Sequence, residues 1–267
     1  MTMKSIFNTK RLSYRPIPTI TIFMVFVGIF LVAGEIKNNS MAVSIIGKQR
    51  MYSMRMLKDY IMIGLKLSYG NPADDLKKTM EAFEKSHDSL MAYVKDPDLR
   101  KKLEELDRTW QETKKVLKEK PEKSKAKVYK KVLVHLREVA NDATNMMARK
   151  AGTISDQTIN LAGRLRAVSQ ALAAVYMLKT WEMPGADEAL KIPMERFRES
   201  MDYLYKSPDT GPDMKKILKK LEKTYLFFQV MNESGTFTPT LVAKKTDKML
   251  GEAIKLTKLY VDKKNNK

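Results

Sequence analysis

Gly47-Lys48-Gln49-Arg50-Met51-Tyr52-Ser53-Met54-Arg55-Met56 is the stretch from which the organisation of this chain follows, because a copy returns as Gly163-Arg164-Leu165-Arg166-Ala167-Val168-Ser169-Gln170. Glycine, arginine, serine and a downstream tyrosine keep the same spacing in both copies. They are Gly47, Arg50, Ser53 and Tyr60 in the first copy, and Gly163, Arg166, Ser169 and Tyr176 in the second. Such a match indicates an internal repeat.

The residues that follow each copy repeat as well, so the unit is a whole module with the length of a small domain. Leu103, Leu106, Thr109 and Trp110 of the first module correspond to Leu218, Leu221, Thr224 and Tyr225 of the second. The predicted organisation is an N-terminal segment over residues 1–34, a first module over residues 35–150 and a second over residues 151–267.

The composition excludes several kinds of site. The chain has no cysteine, so disulfides, iron–sulfur clusters, thiol nucleophiles and cysteine zinc sites are excluded. The only histidines, His87 and His135, fall in different predicted helices. No pairing of nucleophile and base and no glycine-rich phosphate loop is visible, and the sequence therefore predicts a non-catalytic protein with no metal or cofactor.

The formal net charge of +19 favours an anionic partner: nucleic acid, an anionic membrane or an anionic ligand. However, the lysines are spread along predicted helices, as between Lys114 and Lys131, where solvated faces explain them. No nucleic-acid-binding module is visible, and nucleic acid is not expected as a partner. Binding of anionic lipid or polyanions through the lysine faces stays an alternative, which predicts a steep loss of binding with salt.

The N-terminal segment predicts export. Basic residues precede an uncharged apolar run from Ile17 to Gly34, whose length of about 18 residues lies between a signal-peptide core and a membrane span. With the basic flank inside, everything after Glu35 is expected in the periplasm. The segment is either a retained inner-membrane anchor or a signal peptide cleaved near Val32-Ala33-Gly34.

The first module is predicted to contain four helices. From Ile36 to about Tyr69, residues recur at alternating steps of four and three, the pattern of a bundle seam. Asn71-Pro72, Asp96-Pro97 and Lys120-Pro121 each start another helix, since asparagine and aspartate cap helices and proline suits the first turn. The first seam comprises Val43, Gly47, Arg50, Met54, Leu57 and Ile61, and that of the fourth helix Val128, Val132, Leu136, Val139, Ala143 and Met146.

The second module follows the same plan. Pro193 is expected to kink its second helix or delay the start of that helix. Around Gly152 the sequence leaves open whether the preceding helix breaks or continues into the second module. No stretch alternates like a strand, so we expect an all-α fold of two tandem four-helix bundles. The helices of the second module are predicted near residues 155–182, 186–206, 213–231 and 239–261.

Arg50 and Arg166 lie on the apolar seams, where an unpaired guanidinium costs several kcal/mol, so each needs an anion. For Arg50 one interpretation is a carboxylate from another helix, with Glu138, Asp142, Glu104 and Glu105 as candidates. Recurrence in both modules favours a ligand instead. Gly47 and Gly163, one turn earlier, would let a helix or small ligand approach closely. A planar, forked donor suits a planar oxyanion.

At these residues the chain resembles the N-terminal sensor domain of type IV pili methyl-accepting chemotaxis transducers, the PilJ/NarX-like family. Its pattern is close to Ile-Asn-Leu-Ala-Gly-x-x-Arg-Met-x-Ser-Gln-Arg. The matching stretches are Ile159 to Arg166 with Ser169-Gln170, and Gly47 to Met51 with Ser53. The sequence departs from the pattern at Ser44-Ile45-Ile46 in the first copy and at Ala167 and Ala171 in the second, which leaves open whether both copies bind a ligand.

The resemblance implies a sensory protein that binds a small oxyanion such as nitrate or nitrite between paired helices of a dimer. Arg50 and Arg166 would be the anion contacts, with Gly47, Gly163, Ser53 and Ser169 beside them. Family receptors continue into a second span and an output domain, whereas this sequence ends at Lys267. We therefore expect a separate envelope or membrane signalling protein as its partner. The two arginines either face each other within one chain or each require a second chain, as in a homodimer.

Two alternatives remain at this stage. In the first, the protein would be an envelope adaptor with no small ligand. Both arginines would be internally paired, and the helices would serve as docking surfaces. Alternatively, Met51, Met54 and Met56 supply thioethers for copper(I), although methionines at helical spacing usually fill a core.

Overall fold

The structure, a computed structural model, describes residues 36–266, and all regular secondary structure in that range is helical. The expectation of an all-α fold is thus confirmed for these residues. A 3₁₀ turn, Lys123–Lys125, precedes the fourth α-helix. The α-helices are α1 Asn39–Gly64, α2 Pro72–Tyr93, α3 Pro97–Leu117, α4 Ala126–Ala151, α5 Ile154–Thr180, α6 Ala186–Lys206, α7 Pro212–Glu233 and α8 Pro239–Asn265.

Two of the three helix starts predicted within the first module follow the predicted capping chemistry, whereas the third, at Lys120-Pro121, was wrong because α4 begins only at Ala126 and has no side-chain cap. The Asn71 side chain accepts a hydrogen bond from the Asp74 amide, and Asp96 accepts one from the Leu99 amide. The predicted ends are less accurate. Helix α1 stops at Gly64, before Tyr69, and Lys66 takes a positive φ of 55° just beyond it.

The last helix of the first repeat does not continue into the second repeat. Gly152 ends α4 in the left-handed conformation, with φ of 78°, which favours glycine. The Thr153 side chain then accepts a hydrogen bond from the Asp156 amide at the start of α5. A continuous helix across Gly152 is therefore excluded, and the second repeat can fold back beside the first.

Pro193 does not delay α6, which begins at Ala186, so of the two expected alternatives, a kink or a late start, the late start is excluded. The first helical turns form before the proline is reached, and Asp187 and Glu188 lie in the first turn, where they favour helix formation.

Helices α1 and α5 are central. Helix α1 packs against α2, α4 and α5, while α5 packs against α1, α6 and α8. Helices α3 and α7 lie outside, mainly against α4 and α8. Because α1 and α5 have neighbours on most sides, few of their residues are exposed, and their polar residues are buried with the apolar ones.

The repeat is visible in the packing of aromatic residues. Phe83 on α2 packs against Trp110 on α3, with ring centroids 4.6 Å apart, and Phe197 on α6 stacks on Tyr225 on α7 at 4.1 Å. The motif tyrosines also correspond: the Tyr60 hydroxyl donates to the Glu119 carbonyl after α3, and the Tyr176 hydroxyl accepts from the Thr238 amide before α8.

The seam of α1 was predicted correctly, since all six of its residues are buried. The seam of α4 was partly wrong because its register is displaced by one residue. Val128 is 49% exposed, whereas Tyr129 and Leu133 are buried. Both sets fit a helical period, so the periodicity alone did not distinguish them.

No helix between residues 36 and 266 is long and apolar enough to cross a membrane. The segment over residues 1–34, predicted as a signal peptide or anchor, lies outside the described residues.

Candidate functional site

Helices α1 and α5 pack in parallel and in register, so equivalent positions of the two motifs meet. The Ser40 hydroxyl donates to Asp156, its counterpart in the repeat, at 2.9 Å. Arg50 Nη2 donates to the backbone carbonyl of Asn160 at 3.1 Å, and Arg166 Nη2 donates to that of Ser44 at 2.9 Å. Asn160 and Ser44 each lie six residues before the arginine of their own helix. The two contacts are therefore related by a local twofold axis.

The two guanidinium groups converge on the motif glycines. A Cβ atom placed on Gly47 would lie 3.1 Å from Arg50 Nη2 and 3.2 Å from Arg166 Nη2. One placed on Gly163 would lie 2.9 Å from Arg166 Nη2 and 3.5 Å from Arg50 Nη2. The glycines therefore leave room for the two guanidiniums, rather than for a close approach of backbones.

Neutral acceptors, not carboxylates, hold the two arginines, each of which is only 2% exposed. Arg50 Nη1 donates to Asn141 Oδ1 at 3.2 Å, and its Nε has no partner. Within residues 36–266 neither arginine forms an ion pair. Glu138, one proposed partner of Arg50, instead pairs with Arg137 and Arg196.

The electrostatic environment opposes a positive charge at both positions. Burial, followed by repulsion from Arg164 and Arg166, lowers the pKa of Arg50 well below its ordinary value. Burial also lowers the pKa of Arg166 to about 10. Since guanidinium stays protonated in proteins, these shifts express the cost of holding two like charges away from water. An anion between them would offset that cost.

A cavity lies beside Arg50 and is bounded by α1, α4, α5 and α6. We call it the Arg50 pocket. Its volume of about 10 Å³ is close to the least that holds one water molecule. It is lined by Arg50, Arg137, Asn141, Arg164, Ala167, Val168, Ala171, Pro193 and Arg196.

The outer arginines of this pocket have carboxylate partners that are exposed or partly exposed. Arg196 lies 3.4 Å from Glu138, and Arg164 lies 3.5 Å from Glu199, which is 57% exposed. Burial, then repulsion from Arg196, lowers the pKa of Arg137 to about 10. The pocket thus has four guanidiniums and two partly solvated carboxylates.

The equivalent place beside Arg166, which we call the Arg166 side, has larger side chains. Here α1 presents Met51, Tyr52 and Arg55 at the positions where α5 has Ala167, Val168 and Ala171. Burial, followed by repulsion from Arg166, lowers the pKa of Lys48, the counterpart of Arg164, to about 8.

The outer helices also differ: those beside Arg50 supply polar residues, and those beside Arg166 supply apolar ones. The buried positions of α4 and α8 align these helices, with Tyr129, Leu136 and Thr144 corresponding to Val242, Met249 and Thr257. The aromatic pairs Phe83–Trp110 and Phe197–Tyr225 align α2 with α6. In this alignment Arg137, Asn141 and Arg196 correspond to Leu250, Ile254 and Ala82.

The predicted serines and methionines have internal roles. Ser53 donates to the Gln49 carbonyl and Ser169 donates to the Arg166 carbonyl, each within its own helix. Neither serine hydroxyl bonds a guanidinium. Met51, Met54 and Met56 are all buried in the core, as methionines that fill space are.

A second buried polar cluster lies further along α1. Lys58 Nζ is 2.8 Å from an Asp247 oxygen and 3.4 Å from Asp59. Gln170 on α5 donates to Asp247 at 3.4 Å. Burial raises the pKa of Asp59 to about 6, and one of its oxygens has no hydrogen-bond partner.

Sequence reasoning identified Arg50 and Arg166 but missed Arg137, Asn141, Arg164 and Arg196. Arg164 lies inside the second motif and differs from its counterpart only as arginine from lysine. Arg137 follows the seam residue Leu136, and a charged residue beside a seam was the available signal. Arg196 has no such signal in the sequence, because it joins the pocket only through the packing of α6 on α5.

Comparisons of this chain with protein-family models, with curated proteins and with solved structures find no match.

Proposed function

We propose that this protein is a non-catalytic sensor of the PilJ/NarX-like kind, which binds a small oxyanion where α1 meets α5. The observation that supports the proposal most is the meeting of Arg50 and Arg166. Two buried guanidiniums share one location, and no carboxylate within residues 36–266 pairs with either. Such a site is suited to an anion, because a bound anion would relieve the mutual repulsion of the two charges.

In this proposal the chain consists of two four-helix bundles, α1–α4 and α5–α8, joined through their first helices. The pairing that the family resemblance implies between two subunits then occurs within one chain. Helices α2 and α4 contact α1, and α6 and α8 contact α5, which supports this division.

A sensor of this kind would work through the α1–α5 contact. The carbonyl bonds from Arg50 to Asn160 and from Arg166 to Ser44 join the two helices. An anion that draws on the same donors would change how the two halves pack. The N-terminal segment would hold the protein at the inner membrane, and a separate envelope or membrane protein would receive the signal.

Calorimetric titration of the full-length protein with nitrate, nitrite and other small oxyanions tests the proposal. Saturable binding that is lost in Arg50→Ala or Arg166→Ala supports it. Arg108→Ala on α3 serves as a control for general loss of positive charge. If no anion binds, or if binding survives both substitutions, the proposed function is wrong.

A structural role is the second candidate, and the hydrogen bonds of the arginines favour it. Arg50 joins α1 to α4 through Asn141 and to α5 through the Asn160 carbonyl, so it also acts as a clamp between helices. An adaptor of this kind predicts that both alanine variants are less stable than the parent and that no anion stabilises any of the three.

A further inference from the structure

We infer that the chain has a single anion site, in the Arg50 pocket, and that this site takes a small, doubly charged oxyanion such as sulfate or hydrogen phosphate. The inference rests on the proposed function, because Arg50 forms the inner wall of the pocket. It adds the location, the charge of the ligand and the residues that select it.

The charges around the pocket determine the charge of the ligand. The guanidiniums of Arg50, Arg137, Arg164 and Arg196 face a space to which Glu138 and Glu199 contribute the only paired carboxylates within residues 36–266. Among these lining residues two positive charges remain unbalanced, and Arg166, whose Nη2 converges with that of Arg50 on Gly47, adds a third. A dianion neutralises two of these charges, whereas nitrate neutralises only one.

Unused donors point to the same place. Arg50 Nε and Arg137 Nε are both buried and have no hydrogen-bond partner. Arg50 is 2% exposed and Arg137 is 8% exposed, so water does not compensate either group freely. A buried donor without an acceptor is destabilising, and an oxyanion with several acceptor oxygens would satisfy both.

The outer arginines provide the entrance. The side chains of Arg164 and Arg196 are 23% and 30% exposed, and their ion pairs are with exposed or partly exposed carboxylates. Exposed ion pairs contribute at most about 1 kcal/mol, so both side chains can turn toward a ligand at little cost. They must move, because the cavity of about 10 Å³ holds no more than one water molecule.

The Arg166 side shares only part of this set of features. Tyr52 and Met51, both buried, stand where the pocket has Val168 and Ala167, and Leu250, Ile254 and Ala82 replace the polar residues of the outer helices. There α1 supplies Lys48 and Arg55 as positive charges; Arg55 Nε is also a buried donor without a hydrogen-bond partner, but Arg55 lies 3.6 Å from Asp59 and from Asp75. Lys48 is therefore the matched control for Arg164, since the two hold equivalent positions in the repeat.

The test is calorimetric titration of the full-length protein with sulfate, which is doubly charged at neutral pH, and with nitrate, at constant ionic strength. The parent should bind sulfate at least about tenfold more tightly than nitrate. Arg164→Gln and Arg196→Gln should each weaken sulfate binding by about tenfold, as expected for the loss of one hydrogen bond to a charged group, while Lys48→Gln should leave it unchanged. Circular dichroism shows whether each variant is folded.

Other outcomes separate this inference from the proposed function. Nitrate binding that requires Arg50 and equals or exceeds sulfate binding would overturn the inference and leave the proposed function standing. Equal losses of sulfate binding in Lys48→Gln and Arg164→Gln would also overturn it. The anion would then bind on both sides, or the losses would reflect only the general removal of positive charge. If the parent binds neither anion, both proposals fail.

Discussion

Helices α1 and α5 carry the same Gly-x-x-Arg-x-x-Ser motif and meet about a local twofold axis, yet their surroundings differ. Beside Arg50 there is a cavity with three further arginines, whereas beside Arg166 the equivalent positions hold the larger, buried side chains of Tyr52 and Met51. The shared residues explain why the helices pack as they do. The unshared residues determine which side can admit a ligand.

Ala167 and Ala171 illustrate the point. At the sequence level they are departures from the family pattern, which leave ligand binding by the second copy open. In the structure both line the Arg50 pocket, next to the arginine of the first copy. Small residues on one helix thus make space for the functional group of the other, and the repeat has diverged in a complementary way.

The largest expected effect concerns another difference between the central helices, at their C-terminal ends. A Cβ atom on Gly64 would lie 2.4 Å from the Cη2 and Cζ2 atoms of Trp181, whereas its counterpart on α5, Thr180, carries a full side chain. Gly64→Ala should lower the free energy of unfolding by about 3 kcal/mol, because the buried ring cannot move freely. Denaturant unfolding measures the change.

Gly251→Ala on α8 is the control for that substitution. Nothing lies within 4 Å of a Cβ atom placed there, and the residue is inside a helix. It should raise the free energy of unfolding by up to about 1 kcal/mol, through helix propensity alone. Equal effects of the two substitutions would show that Trp181 does not pack on Gly64 as described.

The second prediction concerns the polar cluster of α1, where Lys58 and Asp59 replace the Ala174 and Val175 of α5. Because the folded-state pKa of Asp59 is raised from 3.8 to about 6, the folded protein holds this proton more tightly than the unfolded chain. The stability that this raised pKa contributes is present below about pH 4 and is lost as the pH rises through 6.

Asp59→Asn should therefore be more stable than the parent at pH 7, by about 1 to 3 kcal/mol, and equal to it near pH 4. Thermal unfolding over this pH range measures the difference. Asp75→Asn is the control, because Asp59 and Asp75 each lie 3.6 Å from Arg55 but Asp75 is partly in solvent, and it should show little change in stability. A less stable Asp59→Asn at pH 7 would contradict this interpretation.

The smallest expected change in stability tests the difference between the two sides directly. Ala167→Met places in the Arg50 pocket the residue that α1 has at the equivalent position. The cavity of about 10 Å³ is too small for the added atoms, so they must displace the partly exposed side chains of Arg164 and Arg196. Because those side chains can turn toward solvent at little cost, the free energy of unfolding should change by less than about 1.5 kcal/mol, while anion binding should be lost. Titration calorimetry and denaturant unfolding of the same sample measure both.

Met51→Ala is the reverse substitution. It leaves a cavity on the Arg166 side, so it should lower the free energy of unfolding by about 2 to 4 kcal/mol and leave anion binding intact. Loss of binding in Met51→Ala, with binding retained in Ala167→Met, would place the ligand on the other side.

Much of the helical framework was predictable, because its determinants are local. Asn71 and Asp96 cap their helices through their own side chains, and Gly152 takes a conformation that favours glycine. The repeat and the burial of Arg50 and Arg166 also follow from spacing. The Arg50 pocket was not predictable, because Arg137 and Arg196 come from helices about 60 residues apart and meet only in the packed fold. Nor does spacing alone decide between Val128 and Tyr129 as the buried residue of α4.

The most direct test of the central claim, that Arg50 is buried for a ligand and not for stability, is thermal unfolding of Arg50→Met with and without added sulfate and nitrate. Methionine keeps an unbranched side chain and removes the charge. Replacing a buried charge in this way is often neutral or stabilising. We predict that the variant unfolds at the same or a higher temperature than the parent without anion, and that anions stabilise only the parent. A variant that unfolds at a lower temperature, with a parent that responds to neither anion, would show that Arg50 is a structural clamp and would contradict the account.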